Sequence, residues 1–219
     1  MTAHTPPPDP PAVQAMVRES GYEISEVQAE LLAVYLRLLE QWNTRINLVG
    51  PRKWPQMLSQ LVADSWHLAA LLQELQWPHQ CQSLDLGAGA GLPGIPLRLF
   101  WTHGRYTLVE IRQKRVAFLH NALAQMELPG TAIHHGRAEE LPETLLPAHL
   151  VLSRAFMPWH QLLPLAGSLL DKTGRLIILS NTPARQEMFA ERARLVQVRP
   201  YQIGDQTRYF WVLDRLARV

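Results

Sequence analysis

The sequence predicts an α/β fold, a mostly parallel sheet flanked by helices and preceded by a helical cap. Three observations carry this. From Ser83 onward short apolar runs alternate with amphipathic helical stretches, the succession that builds parallel sheets through crossover helices. Before Ser83 the periodicity is helical. The first strand opens into a helix through a glycine-rich turn, Gly87-Ala88-Gly89-Ala90-Gly91.

The elements follow in order. Residues 1–12 are rich in proline, with five in the first eleven positions, and predict a disordered or extended tail. Residues 13–78 form the cap. Val27, Leu31, Val34 and Leu38 recur at helical spacing behind Ser25, a good N-cap, and predict a helix over 25–41 that Trp42-Asn43 breaks. A second helix is predicted from Pro55 to Leu75. Residues 79–219 form the sheet core. Its strands are predicted at 83–86, 106–110, 131–134, 150–153 and 175–179, with helices at 92–100, 112–126, 162–170 and 183–194. Two last runs, 196–201 and 209–213, flank Gly204-Asp205 and predict a closing antiparallel hairpin.

Composition narrows the function classes. A single cysteine, Cys81, forms no internal disulfide and no zinc cage, which points to a reduced, cytoplasmic setting. No signal peptide and no run of about 18 apolar residues is visible, so no membrane association is expected. No metal site is expected: His134 and His135 are neighbours on a predicted strand and point to opposite faces. The net charge of +2 does not by itself imply nucleic acid. Arg45, Arg52 and Lys53 follow the first long helix, Arg112, Lys114 and Arg115 open the middle one, and seven arginines lie between Arg185 and Arg218. Charge alone favours a solvated surface; several on one face would neutralise phosphates.

The glycine-rich turn carries the chemistry. Glycines let the backbone turn tightly and approach a ligand, and the following helix start offers free N–H groups to an anionic group. Gly89-Ala90-Gly91-Leu92-Pro93-Gly94 fits the dinucleotide pattern G-x-G-x-x-G. Asp85 on the strand, with glycines directly after it, instead suits a ligand with an ammonium group, which S-adenosyl-L-methionine has and NAD lacks. The carboxylate of that ligand meets backbone N–H groups near Leu92. Glu110, closing the next strand, is placed to accept two ribose hydroxyls. These residues favour the methyl donor.

The run Asp85-Leu86-Gly87-Ala88-Gly89-Ala90-Gly91-Leu92-Pro93-Gly94-Ile95-Pro96-Leu97 resembles the signature of the bacterial glucose-inhibited division protein B family, the small-subunit (16S) rRNA N7-guanine methyltransferases. Trp42-Asn43 with Asn47-Leu48, Asp64-Ser65, Lys114 to Leu119, Gly136 to Glu139 and Ser153 to Phe156 match further motifs in order, over roughly residues 25 to 215. The resemblance implies a Rossmann-like class I methyltransferase fold with a seven-stranded sheet. It places cofactor contacts at Gly87, Leu92, Ala138, Glu139 and Arg154, with Gly89 and Glu110 nearby. It makes Arg154 the candidate catalytic residue, where substrate and cofactor meet. It also implies 16S rRNA or the small ribosomal subunit as partner; nothing in the sequence demands more than a monomer. Guanine N7 carries no proton, so its attack needs no general base. Three positions depart from the family pattern: Leu61 stands where the family commonly has His, Ser180-Asn181 replace Lys-Gly, and Arg208-Tyr209 replace Arg-His. Two other readings are a methyltransferase of a different substrate and a silent module that binds cofactor or ribosome without turnover. Trp159 is a candidate stacking residue.

Overall fold

A computed structural model describes residues 6–214 and residue 216. Arg215 and Arg218, and residues 1–5 of the predicted tail, lie outside the described residues. The fold is a seven-stranded sheet of order β3-β2-β1-β4-β5-β7-β6. Strands β1 (Gln82–Leu86), β2 (Arg105–Glu110), β3 (Thr131–His135), β4 (Ala148–Arg154) and β5 (Leu170–Ser180) run parallel. Strands β6 (Arg194–Ile203) and β7 (Gln206–Asp214) form the expected hairpin, with β7 inserted antiparallel beside β5. The chain winds outward from β1 to β3, then returns to place β4 on the other side of β1. The order reverses there, which leaves a crevice beyond the carboxyl ends of β1 and β4.

Alternating residues of the central strands feed two cores. Leu150 and Leu152 face the cap, while Val151 joins Leu84, Leu86 and the helix α7 (Trp159–Leu169) on the opposite face. The cap consists of α1 (Pro10–Glu19), α2 (Glu26–Ile46), α3 (Trp54–Met57) and α4 (Ala63–Glu74), and it shares one core with the sheet and with α6 (Gln113–Met126). No helix among the described residues is long and apolar enough to cross a membrane.

Several boundaries differ from the sequence reading, each for a local reason. Residues 10–12, expected in the tail, are the first turn of α1: Asp9 accepts the Ala12 N–H at 2.8 Å, and Pro10 and Pro11 occupy positions that need no donor. The segment before it is strapped to the cap, since Trp54 Nε1 donates to Pro6 O and Arg37 Nη2 to Pro8 O. Helix α2 starts at a capping box of Ser25 and Gln28, but continues past Trp42-Asn43 to Ile46. The Asn43 side chain binds Val49 N and Pro51 O beyond the helix and so leaves the helical backbone intact. The helix expected at 92–100 contracts to one turn, α5 (Gly94–Leu97), because Pro93 and Pro96 lack donors. The helix expected at 183–194 is absent; only a 3-10 turn, Gln186–Met188, forms, and Ala190 adopts φ +49. There Gln186 bonds Ala190 O, Ala193 O and Leu195 N and closes the loop on itself. Strand β5 starts at Leu170 instead of Arg175, with Asp171 to Gly174 bulging between the pairs Ala148–Leu170 and Leu150–Arg175.

The second cap helix is continuous but irregular: between α3 and α4, Leu58–Val62 forms a π-turn. Such bulges mark functional sites with some regularity, and this one faces the carboxyl edge of the sheet, as described next.

Candidate active site at the carboxyl edge of the sheet

The glycine turn folds back over β2. Gly87 and Ala88 both donate their N–H groups to Val109 O, at 2.9 and 3.0 Å. Gly87, Gly89 and Gly91 take φ of +69, +60 and +74, which L side chains rarely adopt. Gly87 is constrained twice, because a Cβ there would run into the Phe156 ring. Phe156 is delivered to that place by Ala155, at φ +52, directly after β4.

Glu110 fixes the turn from below. Its carboxylate is 4% exposed. Oε2 accepts the Gly89 N–H and Oε1 the Arg112 N–H, both at 2.9 Å, and Arg115 Nη1 lies 3.8 Å from Oε2. One carboxylate thus ties the loop after β1 to the loop after β2. A carboxylate has about four lone-pair directions, so both oxygens retain acceptor capacity towards a diol. The cap supports the turn from the other side: Tyr35 Oη donates to Ala90 O at 2.8 Å and Ser65 Oγ to Pro93 O at 3.0 Å.

Beside the turn lies a cleft of about 370 Å³. Gly87, Glu110, Ala138 and Glu139, all expected as cofactor residues, line it, together with Ile111 and Phe156. Ile111 is 51% exposed, an apolar surface open to a flat ring. Gly89, Leu92 and Arg154 do not line the cleft. Gly89 acts through its bond to Glu110, and Leu92 is packed into the core beneath the cap. Asp85, expected to hold an ammonium group, also lies outside the cleft. It is buried under the turn, where it accepts the Tyr106 hydroxyl at 3.1 Å. Burial raises its pKa to about 7 against the opposing effects of that hydrogen bond and the Arg154 charge.

Arg154, at the end of β4, turns towards the cap. Its Nη1 lies 3.3 Å from Asp64 Oδ2 and 3.4 Å from Leu61 O. Arg208 of β7 converges on the same carboxylate, with Nη1 at 2.9 and 3.1 Å from Oδ1 and Oδ2 and 2.8 Å from Gln60 O. Tyr201 Oη donates to Asp64 Oδ1 at 3.0 Å. The π-turn therefore supplies two carbonyls, and α4 a buried acid, to two arginines carried by the sheet. Asp64 balances one of these charges, so the group keeps a net positive charge. Leu61 serves here through its backbone oxygen, which any side chain provides. Trp159 packs edge-on against Phe189 and outside the cleft lining.

Sequence reasoning underrated Asp64, Ile111 and Phe156. The signal for Asp64 was present, an acid at helical spacing among the apolar Leu61 and Leu68. Phe156 lies in the Ser153 to Phe156 motif without a role of its own, and nothing local flags Ile111, whose place depends on the register of the sheet.

Fold and cleft define a class: a Rossmann-like methyltransferase dependent on S-adenosylmethionine. Solved structures share the fold, including a SAM-dependent methyltransferase from Aquifex aeolicus (TM-score 0.53, 14% identity, 73% of this chain and 93% of that one). A precorrin-6y C5,15-methyltransferase from Geobacter metallireducens is another (TM-score 0.52, 13% identity, 67% and 87% covered). The chain belongs to the rRNA small subunit methyltransferase G family, whose model matches residues 28–203. A protein of that name from Nitratidesulfovibrio vulgaris is 47% identical over 199 residues, 90% of this chain and 89% of the relative. Another from Oleidesulfovibrio alaskensis is 38% identical over 220 residues, covering 95% of each.

Proposed function

We propose that this chain transfers a methyl group from S-adenosylmethionine to N7 of a guanine in 16S rRNA. The observation that carries it is the cleft at the strand-order reversal, lined by Gly87, Glu110 and Phe156, with Arg154 directly preceding its lining residue Ala155 at the end of β4. Family membership supports the rRNA substrate.

The residues present fit the cofactor. A cleft of this size suits a small ligand, and the cradle at Gly87 has no room for a side chain. When bound, S-adenosylmethionine supplies an electrophilic methyl on its sulfonium. Gly87 and Gly89 give the backbone close approach. Glu110 receives the ribose hydroxyls on its remaining lone pairs. Ile111, Ala138 and Glu139 border the adenine, and Leu92 holds the floor of the turn. Guanine N7 has no proton to lose, so Glu110 is free to serve as a clamp. The remaining task is to orient the nucleophile and exclude water, which supplies about 7–11 kcal/mol in favourable cases. Arg154 is the residue we assign to the guanine O6 or an adjoining phosphate. We read the enzyme as acting as a monomer, and the ribosomal substrate supports a cytoplasmic location.

The test uses labelled S-adenosylmethionine and small ribosomal subunits lacking the modification, with the label mapped by RNA digestion. Label on N7 of a 16S guanine is expected. Absence of label, with cofactor binding intact by calorimetry, overturns the assignment.

A further inference from the structure

Of the basic segments along the chain, two meet in space. Arg45, in the last turn of α2, and Arg112, Lys114 and Arg115, at the start of α6, line one concavity of about 630 Å³ with Ile46 and Gln113. Arg52 and Lys53 turn elsewhere, to Asn43 O and Glu40.

Arg45, Arg112 and Lys114 are exposed, and among the described residues none of the three has an ion-pair partner. Arg115 reaches Glu110, but that carboxylate is buried and already committed to two backbone N–H groups. No acid lines the concavity. Helix stability does not account for this placement. Arg45 suits the carbonyl end of α2, yet three cations at the amino end of α6 oppose its dipole. A local rule broken without internal compensation points to an external partner. The partner is polyanionic, since the cations come from two elements and surround a hollow. Arg112 and Arg115 also line the cofactor cleft, so whatever fills the concavity adjoins that cleft.

We infer that this concavity holds backbone phosphates of the RNA strand flanking the target guanine. The inference rests on the rRNA reading above and names where that substrate is gripped. Phosphate contacts position a strand without reading its sequence, so these cations set affinity and register, apart from the contact assigned to Arg154.

The experiment measures binding of unmodified small ribosomal subunits across a salt series, with steady-state methylation in parallel, for Arg45→Gln, Lys114→Gln and the pair. Both side chains are exposed and lie outside the cleft lining. Lys172→Gln, at the opposite end of the sheet in β5, controls for general loss of charge. Each single variant is expected to weaken RNA binding about threefold to tenfold and to lower the slope of log K against log salt by about 0.7–0.9. KM for RNA rises, while kcat, cofactor affinity and the control stay unchanged. If the wild type methylates the subunit but these variants keep its affinity and slope, the inference fails and the rRNA reading stands. If the wild type neither binds nor methylates the subunit, both fail.

Discussion

Arg154 Nη1 lies 3.3 Å from Asp64 Oδ2, an ion pair that joins the end of β4 to the first turn of α4 across the cap–sheet boundary. The acid is only 2% exposed, and it also holds Arg208 and Tyr201. Replacing it leaves two guanidinium groups facing each other without a counter-charge. Loss of one partner from a buried pair costs about 3–5 kcal/mol. Asp64→Asn is therefore expected to lower Tm by roughly 6–20 °C in a thermal melt. It should also lower kcat at saturating RNA, because Arg154 loses its anchor. A variant with wild-type Tm and kcat would show that the pair contributes to neither.

Glu110 links two loops through Gly89 N–H and Arg112 N–H. Glu110→Gln keeps the shape but presents an amide NH2 to one of these donors. Hydrogen bonds to charged groups contribute about 1.5–3 kcal/mol each. Cofactor affinity, measured by calorimetry, is expected to fall at least about tenfold. Unchanged affinity would mean that the turn keeps its form without the clamp.

Much of this site was legible in sequence because it rests on local chemistry. Gly87 and Gly89 announce positive φ, and Glu110 ends a strand at the right interval behind them. Helix α2 was readable from Ser25 and its apolar stripe. Side-chain direction was less legible. Asp85 and Glu110 both lie on parallel strands next to the turn, yet one faces Tyr106 beneath it and the other the cleft. That difference follows from strand register, which alternation alone does not fix against a helical cap. The failed helix at 183–194 has another cause: Gln186 satisfies backbone groups that a helix would otherwise pair.

Gly87 and Gly204 both have positive φ, +69 and +57, but only Gly87 has a neighbour in the way of a Cβ. Gly204→Ala should cost about 1–2 kcal/mol, the strain of the left-handed conformation. Gly87→Ala adds overlap with Phe156, a further cost of about 1–3 kcal/mol. The pair Gly87→Ala with Phe156→Ala is expected to be less destabilised than the sum of its parts by about 1 kcal/mol or more in denaturant melts. Strict additivity would place the strain in the backbone alone.

Asp85 gives stability an unusual pH dependence. Burial raises its pKa from 3.8 to about 7. The native state therefore binds its proton more tightly than the unfolded chain does. Between these two values the native state carries more protons, so the contribution of Asp85 to stability is full below pH about 3.8 and declines as pH rises towards 7. This is opposite to the usual carboxylate, whose folded pKa is depressed. Asp85→Asn stays neutral throughout and still accepts the Tyr106 hydroxyl. The stability of the wild type minus that of this variant, from urea melts, is expected to fall from pH 4 to pH 7 and level off above. A difference that is flat over the whole range would mean that Asp85 titrates alike in both states.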